Sequence, residues 1–170
     1  EKAHHDTSRI DTAQRLFLEK PAAARKPNAM ATATWRDGLV CDVAGPAGEK
    51  AVTDMPEPMG GGGQGANPGW LLRASMASCA ATSIAMRAAL QGIALRSLEV
   101  TVQSSSDARG LTGIDGVPTT LSDMRMSIKI GAEGVDQAKL RELALWGEAH
   151  SPMSCTLRDR PPVEVDVTVV

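Results

Sequence analysis

Three cysteines are the residues in this 170-residue chain best suited to chemistry: Cys41, Cys79 and Cys155. They are far apart and odd in number, and no C-x-x-C pair occurs. That spacing argues against both a zinc ribbon and a secreted disulfide framework, and free thiols fit a reducing, cytoplasmic setting. A thiol reacts as its thiolate, so a reactive cysteine needs a cation or a helix N-terminus close by. Cys79 falls about 11 residues, roughly 17 Å, beyond the start of the helix predicted around it, where the dipole has faded. An arginine would have to supply the charge, and spacing alone does not identify it. Taken by itself, a cysteine inside a buried helix behaves as a small apolar residue. Cys41 is in phase with Leu39 and Val43 and is expected in a core.

Other constellations carry less. The run Gly60-Gly61-Gly62-Gly63-Gln64-Gly65 contains a literal G-x-G-x-x-G ahead of a helix. Met55-Pro56-Glu57-Pro58 precedes it in place of a buried strand, and no acidic residue ends a second strand about 20 residues on. A flexible loop feeding the helix is the expectation, with no nucleotide cofactor. His4, His5 and His150 do not converge on a carboxylate spacing that suits a metal. His150 is expected to close a helix, where a cation suits the macrodipole. No G-x-S-x-G elbow supports a serine hydrolase.

The elements that must position Cys79 can be read from periodicity. Asn67-Pro68 caps and starts a helix running to about Gln91, with Gly92 as its stop. Its residues are apolar nearly all round, which predicts a buried helix, and its small residues predict close packing. Arg73 and Arg87 argue against a membrane span. Short strands are expected at Ala31–Trp35, Leu39–Val43 and Lys50–Thr53, with a hairpin turn at Asp37-Gly38. Leu98-Val100-Val102, Met124-Met126-Ile128-Ile130 and Val163-Val165-Val167-Val169 alternate with polar residues, as antiparallel strands with one wet face do. Asp136–Ala149 reads as an amphipathic helix with Leu140, Leu143 and Trp146 inward, ended before Pro152. With Phe17 the sole Phe and no Tyr, Trp35, Trp70 and Trp146 are expected as core anchors.

The fold class is therefore α+β. Residues 1–29 form an N-terminal arm with a candidate helix over Thr7–Lys20, and residues 30–170 form one domain. Apolar content of 42% is enough for a core, and a net charge of −2 with pI near 5.9 excludes nucleic acid as the expected partner. No apolar h-region marks a retained signal peptide.

The run Asn67-Pro68-Gly69-Trp70-Leu71-Leu72-Arg73-Ala74-Ser75-Met76-Ala77-Ser78-Cys79 resembles the central-helix motif of the OsmC/Ohr family, the osmotically inducible and organic hydroperoxide resistance proteins. The resemblance extends to Ala31–Gly38, Gly60–Gly63, Ser151–Leu157 and the final Val-rich strand, about 140 residues in all. It implies antiparallel sheets around a long buried central helix, an intertwined homodimer with sites at the subunit interface, and a thiol peroxidase acting on organic hydroperoxides with an external thiol as reductant. Carried over by position, Cys79 matches the peroxidatic cysteine and Arg36 the activating arginine. Two positions depart from the pattern: Gly69 stands where the family has a glutamate, and Ser151 stands where the resolving cysteine precedes Pro152. A serine cannot form a disulfide, so the usual two-cysteine cycle is not available in the usual way. Cys155 is either a displaced resolving thiol or a bystander. The alternative function is a non-catalytic member that binds a small apolar ligand at the dimer interface.

Overall fold

The computed structural model describes residues 7–170, so His4 and His5 lie outside the described residues. The chain divides into two compact units, Glu1–Ala74 and Ser75–Val170.

The first unit opens with helix α1 (Ser8–Glu19) and a 3-10 turn at Pro21–Ala24. No residue of α1 is buried. Strands β1 (Thr32–Asp37), β2 (Val40–Ala44) and β3 (Lys50–Thr53) then form an antiparallel sheet in the order β1-β2-β3. The Asp37-Gly38 turn stands where expected, and the register slips between Trp35 and Asp37, which leaves Arg36 as a bulge. Val40 of β2 and Thr53 of β3 are buried here, while Leu39 lies in the turn and Cys41 is half-buried. Trp35 (68% exposed) and Trp70 (52%) are not core anchors in this chain.

Helix α2 spans Pro68–Leu90, and the boundary between the units falls within it. The Oδ1 of Asn67 accepts from the backbone N–H of Trp70 at 2.9 Å, a cap that contributes about 1 kcal/mol. The expectation of burial all round is corrected. Only Met76, Ala80, Ile84 and Ala88 are buried, one stripe at four-residue spacing, while Ser78, Thr82, Ala85 and Met86 are exposed. A single chain supplies packing for one side of this helix.

In the second unit, β4 (Leu95–Ser105) is followed by a turn of helix, α3 (Ala108–Leu111), and by β5 (Ser122–Ala132), antiparallel to β4. Helix α4 (Gln137–Ala149) is capped by Asp136, whose Oδ1 accepts from the N–H of Lys139 at 2.8 Å. Ile84 and Ala88 of α2 meet Leu143 and Ala144 of α4, with Leu98, Val100, Ile128 and Ile130 of the sheet packed against them. Trp146 is half-buried, stacked on His150 and covered by the Arg87 guanidinium 4.3 Å from its ring centre. His150 closes α4 as expected.

Helix α4 ends before Pro152 as expected. Pro152 itself opens a further helix, α5 (Pro152–Asp159), because proline suits the first helical turn and Ser151 before it is extended. One expectation fails in the C-terminal part. The alternating valines Val163–Val169 form no strand. Alternation specifies a strand only when a neighbour supplies the ladder hydrogen bonds, and none pairs with this segment among the described residues.

Candidate functional site

Cys79 sits on the flank of α2, half-buried, between the stripe that packs inward and the exposed face bearing Ser78 and Thr82. One turn away on either side lie Ser75 and Ser83. The sulfur is therefore mounted beside small, polar side chains on a face its own chain leaves open.

Arg36 lies in the first unit. Its bulged position turns the guanidinium across β2 onto Asp42. The Nε donates to Oδ2 of Asp42 at 3.0 Å, Nη2 pairs with Oδ1, and Nη1 donates to Oε1 of Gln64 at 3.4 Å. The two-pronged hydrogen bond that Arg36 donates to Asp42 raises the pKa of Arg36, and the same pairing lowers that of Asp42. Sequence reading missed Asp42; its place opposite Thr34, diagonal to Arg36 across the first hairpin, was the available signal.

The glycine run is not a loose loop. It wraps Asp54, which is 1% exposed. The Asp54 carboxylate accepts backbone N–H bonds from Met55 (2.7 Å), Gly62 (3.0 Å) and Gln64 (3.0 Å). A Cβ on Gly61 would stand 1.8 Å from the carbonyl oxygen of Met55, so only glycine permits the wrap. The loop that presents Gln64 to Arg36 is thus fixed by a buried carboxylate. Hydrogen bonding, led by the Gln64 N–H, holds the pKa of Asp54 below its ordinary value. A depressed folded-state pKa gives stability that is present above the unfolded value, about pH 4, and is lost as pH falls through the folded one. Asp54→Asn is expected to lower the melting temperature at pH 7 and to flatten part of its fall between pH 5 and pH 2. Thermal unfolding followed across that range checks both; an unchanged acid limb would remove the role given to this carboxylate. A cavity of about 290 Å³ adjoins the loop, lined by Asp54, Pro56, Gly63, Gly65, Ala66, Asn67 and Trp70.

Cys155 occupies α5, where its Sγ is 3.3 Å from the carbonyl oxygen of Ala149 and accepts from Nη2 of Arg158 at 3.5 Å. Arg158 also pairs with Glu148 (2.8 Å) and donates to Ala149 O (3.3 Å). Glu148 first, and Cys155 second, raise the pKa of Arg158. Arg158 went unnoticed in the sequence because its i, i+3 relation to Cys155 matters only once the segment is helical. Ser151 is fully buried, and its hydroxyl, like that of Ser154, has no partner among the described residues. All three cysteines are free thiols. Arg36 belongs to the first unit, while Cys79, Ser151 and Cys155 belong to the second.

A family model described as OsmC-like protein matches residues 61–166, more than half of the chain. The chain belongs to the OsmC-like protein family. Its fold is shared with solved structures. The organic hydroperoxide resistance protein OsmC of Legionella pneumophila is 24% identical over 79% of this chain and 91% of that one, with a TM-score of 0.62. An OsmC-like protein of Mycoplasma pneumoniae is 16% identical over 79% and 89%, with a TM-score of 0.66. The organic hydroperoxide resistance protein OhrB of Bacillus subtilis is 22% identical over 78% and 91%, with a TM-score of 0.53. No curated protein sequence matches. Among the described residues of this OsmC-like protein, no helix is long and apolar enough to cross a membrane, and no cluster of His, Cys, Asp and Glu could hold a metal.

Proposed function

We propose that this OsmC-like protein reduces organic hydroperoxides through Cys79, working as a homodimer and with an external thiol as resolver. The observation that carries the reading is the position of Cys79. Within the family motif, it lies half-buried on the flank of α2 beside an exposed face of that helix. A sealed sulfur would serve packing alone, whereas this one can meet a small apolar substrate once a second subunit covers the face.

In the first step the Cys79 thiolate attacks the distal peroxide oxygen. The O–O bond breaks, the sulfur is oxidised to a sulfenic acid, and the alkoxide takes a proton to leave as the alcohol. Arg36 is the cation assigned to hold the thiolate, with Asp42 and Gln64 orienting its guanidinium. The sulfenic acid then condenses with a free thiol, releasing water and leaving a mixed disulfide; a second thiol restores Cys79 and carries away the oxidised pair. Ser151 cannot take the resolving part.

The reading is tested by adding cumene hydroperoxide to the reduced protein and following Cys79 by mass spectrometry. One added oxygen, or a mixed disulfide when a small thiol is present, is expected. Failure of Cys79 to gain either would remove the peroxidase reading. Cys155→Ser decides the part of the second thiol: the rate of the first oxidation should be unchanged, and a Cys79–Cys155 disulfide in the parent protein would identify Cys155 as resolver. Ser151→Cys, a near-isosteric change at a buried site, is expected to produce an intramolecular disulfide with Cys79 after peroxide, visible as a loss of two hydrogens.

A second reading is favoured by the cavity beside the glycine loop, which Pro56 and Trp70 help to line. With Gly69 in place of the family's glutamate and Ser151 in place of its cysteine, the protein would bind a small apolar molecule without turning it over. Stabilisation of the Cys79→Ala variant by such a molecule, with no thiol oxidation in the parent, would decide for it.

A further inference from the structure

We infer that Ser151 and Ser154, at the amino end of α5, form an oxyanion site for the oxygen that Cys79 gains from a hydroperoxide. Ser151 is 0% exposed and Ser154 4%. Neither hydroxyl has a hydrogen-bond partner among the described residues. Burying an unpaired hydroxyl is costly, so two of them within one helical turn point to a group they are built to meet. Ser151 is the N-cap residue of α5, yet its side chain makes no capping bond. Ser154 is the third residue of the helix, and helical side chains lean toward the amino end. Both hydroxyls therefore serve the same terminus. Pro152 carries no N–H, and the N–H of Cys155 is taken by the Ser151 carbonyl at 2.9 Å. Those of Met153 and Ser154 have no acceptor within the helix. Two hydroxyls, two amides and the positive end of a helix make a receptor for one anionic oxygen.

The packing of α2 on α4 brings this terminus toward Cys79. Ile84 lies against Gly147, Arg87 covers Trp146, and Ala88 clusters with Leu143 and Ala144. Rising numbers on α2 meet falling numbers on α4, so the two helices run antiparallel. Ala80 stands four residues before Ile84 and Ser151 four residues after Gly147, and both are 0% exposed. The N–H of His150 donates to Trp146 O (3.0 Å) and that of Ser151 to Glu148 O (3.2 Å), which carries the path of α4 on to Ser151. Ser151 thus reaches the level of the α2 turn that bears Cys79 and Ala80. Cys79, Ser83 and Arg87 recur every four residues, so Cys79 shares the flank that Arg87 turns toward Trp146.

Oxidation lengthens the Cys79 side chain by one atom, and that atom is the acceptor the two hydroxyls lack. The thiolate gives an electron pair to the distal peroxide oxygen, the O–O bond breaks, and the alkoxide takes a proton to leave as the alcohol. Loss of the sulfenic proton to solvent leaves a sulfenate, whose oxygen accepts from Ser151 and Ser154. When an external thiol attacks the sulfur, its proton and one from solvent leave with that oxygen as water. A sulfenate held in this way persists until such a thiol arrives, which suits a chain with no thiol at position 151. The inference rests on the reading of Cys79 as the oxidised residue and adds the groups that hold the product.

The test compares the reduced full chain with the chain oxidised by one equivalent of cumene hydroperoxide without thiol, both carrying Cys155→Ser. Mass spectrometry places the added oxygen and follows its persistence. In Ser151→Ala, and likewise in Ser154→Ala, the sulfenate is expected to decay about tenfold faster. The melting temperature of the oxidised form, measured against the reduced form of the same variant, is expected to drop by about 3–6 °C. A hydroxyl that only packs, or only holds a water, shifts both forms equally. Equal shifts, or an unchanged lifetime, would overturn the oxyanion site and leave the peroxidase reading in place. Should Ser151→Ala not fold, Ser154→Ala carries the same comparison. Absence of added oxygen on Cys79 would overturn both.

Discussion

Cys79→Ser is expected to abolish the proposed consumption of organic hydroperoxide, leaving the rate of the buffer and free thiol alone. Serine keeps roughly the size and the hydrogen-bonding capacity of the site but not the chemistry, since its alkoxide is not available near neutral pH. The structure makes the substitution benign for folding: Cys79 is half-buried and lies outside the stripe formed by Met76, Ala80, Ile84 and Ala88. The melting temperature should therefore stay within about 2 °C of the parent, which keeps a lost activity from being confused with a lost fold. Oxygen-electrode or ferrous-xylenol assays of cumene hydroperoxide would read the loss. Retained turnover in the serine variant would transfer the chemistry away from α2 altogether. Arg36→Ala provides the companion measurement: if the guanidinium supports the Cys79 thiolate, the pH midpoint for alkylation of that thiol moves upward.

A second large effect is expected in stability. Gly147 of α4 faces Ile84 of α2 so closely that an added Cβ would stand 2.3 Å from Ile84 Cγ1 and 2.9 Å from its Cα and N. Two effects oppose each other in Gly147→Ala. Alanine is favoured over glycine within a helix by about 1 kcal/mol. Overpacking that moves backbone costs about 3 kcal/mol or more. The clash wins because two of its three nearest atoms are main chain and cannot swing aside. The net loss of roughly 2 kcal/mol or more corresponds to a melting temperature lower by about 4–8 °C, measured by calorimetry or circular dichroism. Adding Ile84→Ala should recover little, since it removes only the side-chain contact and opens a cavity in the cluster with Leu143 and Ala144. A Gly147→Ala protein as stable as the parent would show that α2 and α4 can separate without loss.

What the residues specify by themselves is set by physical range. Local chemistry was legible wherever neighbours in sequence sufficed. Asn67 caps α2, Asp37-Gly38 turns β1 into β2, and alternation marks β4 and β5. The helix phase of Leu140 and Leu143 placed them inward, and they are buried. Errors arose where an element depends on what surrounds it. Composition made α2 look buried all round, but small apolar residues permit burial without specifying it. Its second face is left exposed in one chain. The same dependence separates the valines of residues 163–169 from those of β4: equal patterns, with a hydrogen-bonding neighbour in one case and none among the described residues in the other.

The chain's own order of residues determined the central helix, the two antiparallel sheets, the family and the cysteine most worth testing, because these follow from periodicity, caps and a contiguous motif. Only the tertiary structure decided that Arg36 is held by Asp42 and Gln64, that the glycine run encloses the Asp54 carboxylate, and that Cys155 lies beside Arg158 on a helix. Each of those pairings joins groups whose approach is set by a bulge, a loop closure or a helix start. Hydrogen bonds of about 3 Å are decided by such backbone geometry and leave little trace in spacing along the sequence.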